Sequence, residues 1–125
     1  MTKPQLDVEG IKRWAKTLSE ESLRGGTLIV VEGKRDVQAL VKLGVRAHFI
    51  TVVELAREMR VEGSPAVCGK RYVILTDFDS EGRKIRERLE SELSQLGATI
   101  VRWPVAGYLR LGLPVRVEEC SSLEV

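Results

Sequence analysis

The sequence contains no asparagine, one histidine, two cysteines and no long apolar run. Each scarcity excludes something. His48, Cys68 and Cys120 are the only histidine and cysteine residues and show no CxxC or Cys/His spacing, which argues against a zinc site. The two cysteines lie far apart, and in a reducing compartment they read as free thiols rather than a bridge. No segment approaches the roughly 20 apolar residues of a membrane span. The opening stretch "MTKPQLDVEG" is too polar for a secretory leader. The sequence therefore predicts an intracellular, cytoplasmic protein with no membrane partner. Aromatic residues make up 5%, and neither Trp14 nor Trp103 falls among basic residues, so a base-stacking platform has little support.

What is present is charge. Charged residues are 30% and hydrophobic residues 43% of the 125, a composition suited to one globular domain over residues 1–125. Lys, Arg and Glu are abundant, while glutamine is confined to Gln5, Gln38 and Gln95, the bias of hyperthermophile proteins. The net charge of +2 is too small to identify a partner by itself. Its distribution says more: Lys34 and Arg35, Lys70 and Arg71, and Arg83, Lys84, Arg86 and Arg88 form basic clusters. These read either as a solvated face paired with glutamates or as a phosphate-binding surface.

Periodicity predicts an N-terminal helix within residues 1–24, from about Val8 to Ser22, with Ile11, Trp14, Ala15 and Leu18 at helical spacing. "TLIVV" (27–31) reads as a strand covered on both faces, and Asp36 as the cap of a helix that stops at Gly44. A second strand at Ala47–Ile50 leads to Thr51 and Glu54, which have capping-box spacing. "RYVILT" (71–76) is a third strand, followed by a long helix closed by Gly97, and "ATIVRW" (98–103) is a fourth. Four alternations of strand and helix predict an α/β fold with a parallel sheet of order 2-1-3-4, flanked by helices. Residues 104–125 are weakly patterned, with a short strand at Val115–Val117 and a mobile end.

Ligands of such sheets bind at the carboxyl ends of the strands where the order reverses. Strand one ends in Glu32 and Gly33; strand three ends in Asp77, with Asp79 two residues on and Gly82 opening the helix. Three carboxylates without histidine or cysteine make an all-oxygen set suited to Mg²⁺ or Mn²⁺. Gly33 and Gly82 would let backbone approach a phosphate, the helix after Asp79 offers N–H groups, and Lys34, Arg83 and Lys84 supply charge. Plainer roles stand beside these: Asp79 or Ser80 as a helix cap, Lys34 or Arg35 as counter-ion to Glu32, and Asp36 as an outer ligand or a cap.

"VVEGKRDVQAL" and "ILTDFDSEGRKI" resemble the two motifs of the Toprim domain, shared by type IA and type II topoisomerases, bacterial-type primases, OLD-family nucleases, RecR proteins and 5S ribosomal RNA maturases. The resemblance covers a core of residues 27–103 and implies a compact Rossmann-like domain. It also implies that Glu32 acts as general acid or base and that Asp77 and Asp79 hold Mg²⁺. "TDFDSEG" is closer to the topoisomerase IA and RNA maturase versions, and "EGKRD" is similar to the maturases and to small stand-alone Toprim proteins. Only Tyr72 and Tyr108 could serve as a topoisomerase nucleophile, and their positions do not favour it.

Three functions follow as expectations. The first is Mg²⁺-dependent phosphodiester chemistry, foremost a nuclease acting on structured RNA rather than DNA. A non-catalytic nucleic-acid or ribonucleoprotein binding module and a primase-like nucleotidyl transferase are the alternatives, and a homodimer or larger nucleoprotein assembly is left open. The composition makes one prediction of its own: thermal unfolding should be centred well above the mesophile range of about 45–65 °C, and a midpoint inside that range would remove the thermophile reading.

Overall fold

The computed structural model describes residues 6–125. The first five residues, on which the reading of the N-terminus partly rests, lie outside the described residues. The chain runs α1 (Val8–Gly25), β1 (Leu28–Val31), α2 (Lys34–Lys42), β2 (His48–Thr51), α3 (Val52–Glu62), β3 (Arg71–Ile74), α4 (Ser80–Gln95), β4 (Thr99–Ile100) and α5 (Trp103–Arg110), with short 3₁₀ turns at Ser64–Ala66 and Val117–Ser122. The four strands form one parallel sheet in the order β2-β1-β3-β4, as the alternation predicts.

The strands show why "TLIVV" has no alternation. Ile29 and Val31 face the core formed with α1, α2 and α5, while Val30 faces the core formed with α3 and α4. All three are fully buried. A strand covered on both faces has no polar side to display. β3 divides likewise, Val73 and Leu75 to one core and Tyr72 and Ile74 to the other.

Local signals set most boundaries. Asp7 caps α1 by accepting the Gly10 N–H at 2.9 Å. The helix runs on past Ser22 to Gly25, and Gly26 ends it at φ 70°. Ser22 is buried because it is a joint: its hydroxyl donates to the Thr27 carbonyl at 2.7 Å and accepts the His48 N–H at 2.8 Å. Thr51 and Glu54 form the expected capping box of α3.

Three sequence expectations are corrected. Asp36 does not start α2; Gly33 is the capping position, and the Asp36 carboxylate reaches back from the first turn to accept the Gly33 N–H at 3.0 Å. β4 is only Thr99–Ile100, because Pro104 sits in the first turn of α5, where a missing N–H costs nothing. Residues 104–125 carry the rest of α5 and a 3₁₀ turn, with no strand at Val115–Val117; Tyr108, Leu113, Val117 and Cys120 are buried and Cys68 and Cys120 are free thiols. Among the described residues no helix is long and apolar enough to cross a membrane.

The Tyr72 hydroxyl is fully buried and, among the described residues, has no hydrogen-bond partner. Burial pushes its pKa up to about 12. An unpaired buried hydroxyl is a net cost, so Tyr72→Phe should raise stability by about 1 kcal/mol in denaturant unfolding, and a loss of stability would show that the hydroxyl has a partner.

Candidate functional site

β1 and β3 are direct neighbours, with Val30 opposite Ile74, so the residues that follow them emerge side by side at one edge of the sheet. Glu32 and Asp77, 45 positions apart in sequence, meet there: the Asp77 N–H donates to Glu32 Oε2 at 2.7 Å. Burial raises the Glu32 carboxyl above its ordinary pKa, and the charges of Asp77 and Asp36 raise it further against that hydrogen bond. Burial likewise raises the Asp36 carboxyl, with the charges of Asp77 and Glu118 adding to it.

Asp79 lies two residues beyond Asp77, at the start of α4. It is exposed and caps α4, its Oδ1 accepting the Gly82 N–H at 2.7 Å. Among the described residues no three His, Cys, Asp or Glu side chains converge closely enough to hold a metal ion. The donor chemistry nevertheless fits a hard divalent cation: Glu32, Asp77 and Asp79 are oxygen ligands, each using one oxygen on a backbone N–H and retaining a second.

The two glycines differ. A Cβ on Gly82 would lie 1.9 Å from the Asp77 carbonyl oxygen, so this glycine is required by the chain's own close approach. Gly33 is extended, and a Cβ there would meet nothing within 4 Å, which leaves open space before α2. Lys34, Arg83 and Lys84 are exposed around this edge, and among the described residues no ion pair engages them. Lys34 is not the counter-ion of Glu32.

Sequence reasoning missed the supports of the Asp77 loop. Arg86 is buried, not part of a basic surface; it donates to the Thr76 carbonyl and hydroxyl at 3.1 and 3.0 Å. Its guanidinium lies 4.6 Å from the centre of the Phe78 ring, which stacks on Tyr108 at 4.5 Å. Thr76 in turn donates to the Gly82 carbonyl at 2.7 Å. From the C-terminal segment, the Val117 N–H donates to Asp77 Oδ1 at 2.8 Å, and the Val115 carbonyl accepts the Phe78 N–H at 2.7 Å. The position of Arg86 in the buried row Gly82, Arg86, Leu89, Leu93 was the available signal. A backbone donor such as Val117 leaves none.

Over residues 27–103, from the entry to β1 through the first residue of α5, the sequence matches the Toprim domain. The chain belongs to the Toprim domain family. Membership suggests a metal-dependent enzymatic or binding function on nucleic acid. Relatives include archaeal UPF0292 proteins: MJ1624 of Methanocaldococcus jannaschii is 35% identical over 72 residues, 58% of this chain and 56% of the relative. One from Methanosarcina barkeri is 37% identical over 93 residues, 72% of this chain and 62% of the relative. The matches thus span less than two thirds of these relatives' lengths. A protein of Aquifex aeolicus of solved structure has the same fold, with a TM-score of 0.63 at 25% identity over 93% of this chain and 99% of that one.

The site's geometry makes two predictions. Glu32→Gln retains an acceptor for the Asp77 N–H and removes a charge from the cluster, so without metal it should gain about 0.5–2 kcal/mol in denaturant unfolding; a loss would mean that the Toprim carboxylates do not repel one another. Gly82→Ala forces Cβ into a backbone carbonyl and should lose about 1–3 kcal/mol, whereas Gly33→Ala should fold like the parent.

Proposed function

We propose that this Toprim protein carries out Mg²⁺-dependent phosphodiester cleavage on nucleic acid, foremost structured RNA. The observation that carries the reading is the Glu32–Asp77 junction, where a carboxyl of raised pKa is held by a backbone hydrogen bond at the open edge of a parallel sheet. A proton-transferring group works best when its pKa is moved toward the working pH. Glu32 is therefore assigned the proton that passes to or from water or the leaving oxygen.

Asp77 and Asp79, with Glu32, would hold Mg²⁺, with Mn²⁺ as a substitute. When bound, the ion supplies charge stabilisation at the scissile phosphate. Lys34, Arg83 and Lys84 bind flanking phosphates as unpaired cations, and the open space at Gly33 admits the backbone. Asp36 fixes the Gly33 N–H and adds negative charge behind Glu32.

A second reading is supported by the helix cap that Asp79 makes, which commits one of its oxygens to the Gly82 N–H: a nucleic-acid binding module in which metal contributes affinity without turnover. The two differ in a panel of end-labelled RNA and DNA incubated with Mg²⁺ or Mn²⁺. The nuclease reading expects RNA cleavage lost by at least about 10²-fold in Glu32→Gln and abolished in Asp77→Ala. Metal-dependent binding without cleavage supports the module. A metal-induced rise in melting temperature that survives Asp77→Ala would remove the assigned ligand set from both readings.

A further inference from the structure

The C-terminal segment brings a cation to the acidic edge from outside the matched Toprim core of residues 27–103. Val115 and Val117 both bond to the Asp77 loop: the Val115 carbonyl accepts the Phe78 N–H at 2.7 Å, and the Val117 N–H donates to Asp77 Oδ1 at 2.8 Å. Arg116 is the residue between them. Two covalent bonds separate its Cα from the Val117 nitrogen, so that Cα lies within about 5 Å of an Asp77 carboxylate oxygen. The base of this side chain is therefore fixed at the site by hydrogen bonds on either side of it.

Its backbone is anchored, while its head is held only by an ion pair open to water. Val117 is fully buried, and the Arg116 carbonyl accepts the Glu119 N–H at 3.0 Å. The Arg116 side chain is 59% exposed, and its ion-pair partner is Glu118, with Nη2 2.7 Å from Oε1. An ion pair so open to water is weak and readily exchanged. Glu118 belongs to the same acidic neighbourhood, since its charge is felt at Asp36 together with that of Asp77. Among the described residues neither Glu32 nor Asp77 has an ion-pair partner. A guanidinium is a planar fork of donors that fits two oxygens of a phosphate as well as those of a carboxylate.

We propose that Arg116 binds a backbone phosphate of the nucleic acid at the Asp77 edge, and that Glu118 occupies its guanidinium in the free protein in place of that phosphate. The inference rests on the proposed nucleic-acid function and adds to it a substrate contact outside the acidic motifs. Lys34, Arg83 and Lys84 belong to α2 and α4, whereas Arg116 comes from the C-terminal segment and stands beside Asp77 itself. Exchange of Glu118 for a phosphate keeps the guanidinium paired before and after binding. Its fixed backbone also reduces what binding must order. Glu118 then sets affinity by competing with the phosphate for one cation.

The test is a double-mutant cycle read by fluorescence anisotropy of a labelled RNA hairpin and a DNA hairpin of the same sequence, across a salt series in EDTA and in Mg²⁺. Wherever the parent binds, Arg116→Ala should bind at least about fivefold more weakly and lower the log–log salt slope by about one, while Arg116→Lys keeps the slope. Glu118→Gln should bind more tightly than the parent, and that gain should vanish in Arg116→Ala/Glu118→Gln. All four variants should melt with the parent, because the pair is exposed. Unchanged affinity and slope in Arg116→Ala overturn the Arg116 contact and leave the site reading standing. Weaker binding at an unchanged slope also overturns it, since a merely structural role removes no phosphate contact. A Glu118→Gln gain that persists without Arg116 overturns the exchange, because Glu118 then acts only as bulk negative charge. A parent protein that binds neither RNA nor DNA in either buffer overturns both the contact and the nucleic-acid function.

Discussion

The structure turns on one hydrogen bond, from the Asp77 N–H to Glu32, because it joins two carboxylate-bearing segments that repel each other. The sheet creates the problem. With β1 and β3 adjacent and parallel, both chains leave at the same edge, and whatever follows them is forced together. A backbone donor between the two segments offsets part of the repulsion without neutralising it. The residual penalty is visible in the raised Glu32 and Asp36 carboxyls.

Holding Asp77 in that place takes support from three directions. Below the loop, the buried Arg86 fixes Thr76, and Thr76 fixes the first turn of α4. Beside it, Phe78 lies between the Arg86 guanidinium and the Tyr108 ring. Above it, the Val115–Val117 backbone pairs with Phe78 and Asp77. Arg86 has no carboxylate within ion-pair distance among the described residues, so its charge is met by carbonyls and an aromatic face. That places a buried cation beneath an acidic edge, where each lessens the cost of the other. Tyr108 is committed to this packing: burial first, then its contact with Cys120, hold its hydroxyl far above the ordinary phenol range.

Much of this was legible in the sequence, for a physical reason in each case. The strands announced themselves because β-branched runs without alternation suit only a sheet covered on both faces, and the order of the strands then placed Glu32 beside Asp77. Helix starts were readable where a side chain makes the cap, as at Thr51. At α2 the cap is a glycine with the acidic partner three residues later, and the same carboxylate invited the wrong start. The C-terminal segment was not legible because its contribution to the site is backbone N–H and C=O, which every residue carries. Short helices begun by a proline also resemble the end of a strand.

Asp79 meets a competition of its own. An aspartate before a helix can serve the helix or a cation, and one oxygen of Asp79 serves the helix by accepting the Gly82 N–H. Capping uses one of its oxygens and fixes the χ angles, so the second oxygen is oriented by the helix rather than by a ligand. Asp77 is restrained likewise by Val117. Both carboxylates are therefore positioned by hydrogen bonds to backbone, and a cation would have to draw on the oxygens those bonds leave over. In such a site the capped helix and the C-terminal segment set how far each ligand can move, and the elements outside the acidic motif share control of what it binds.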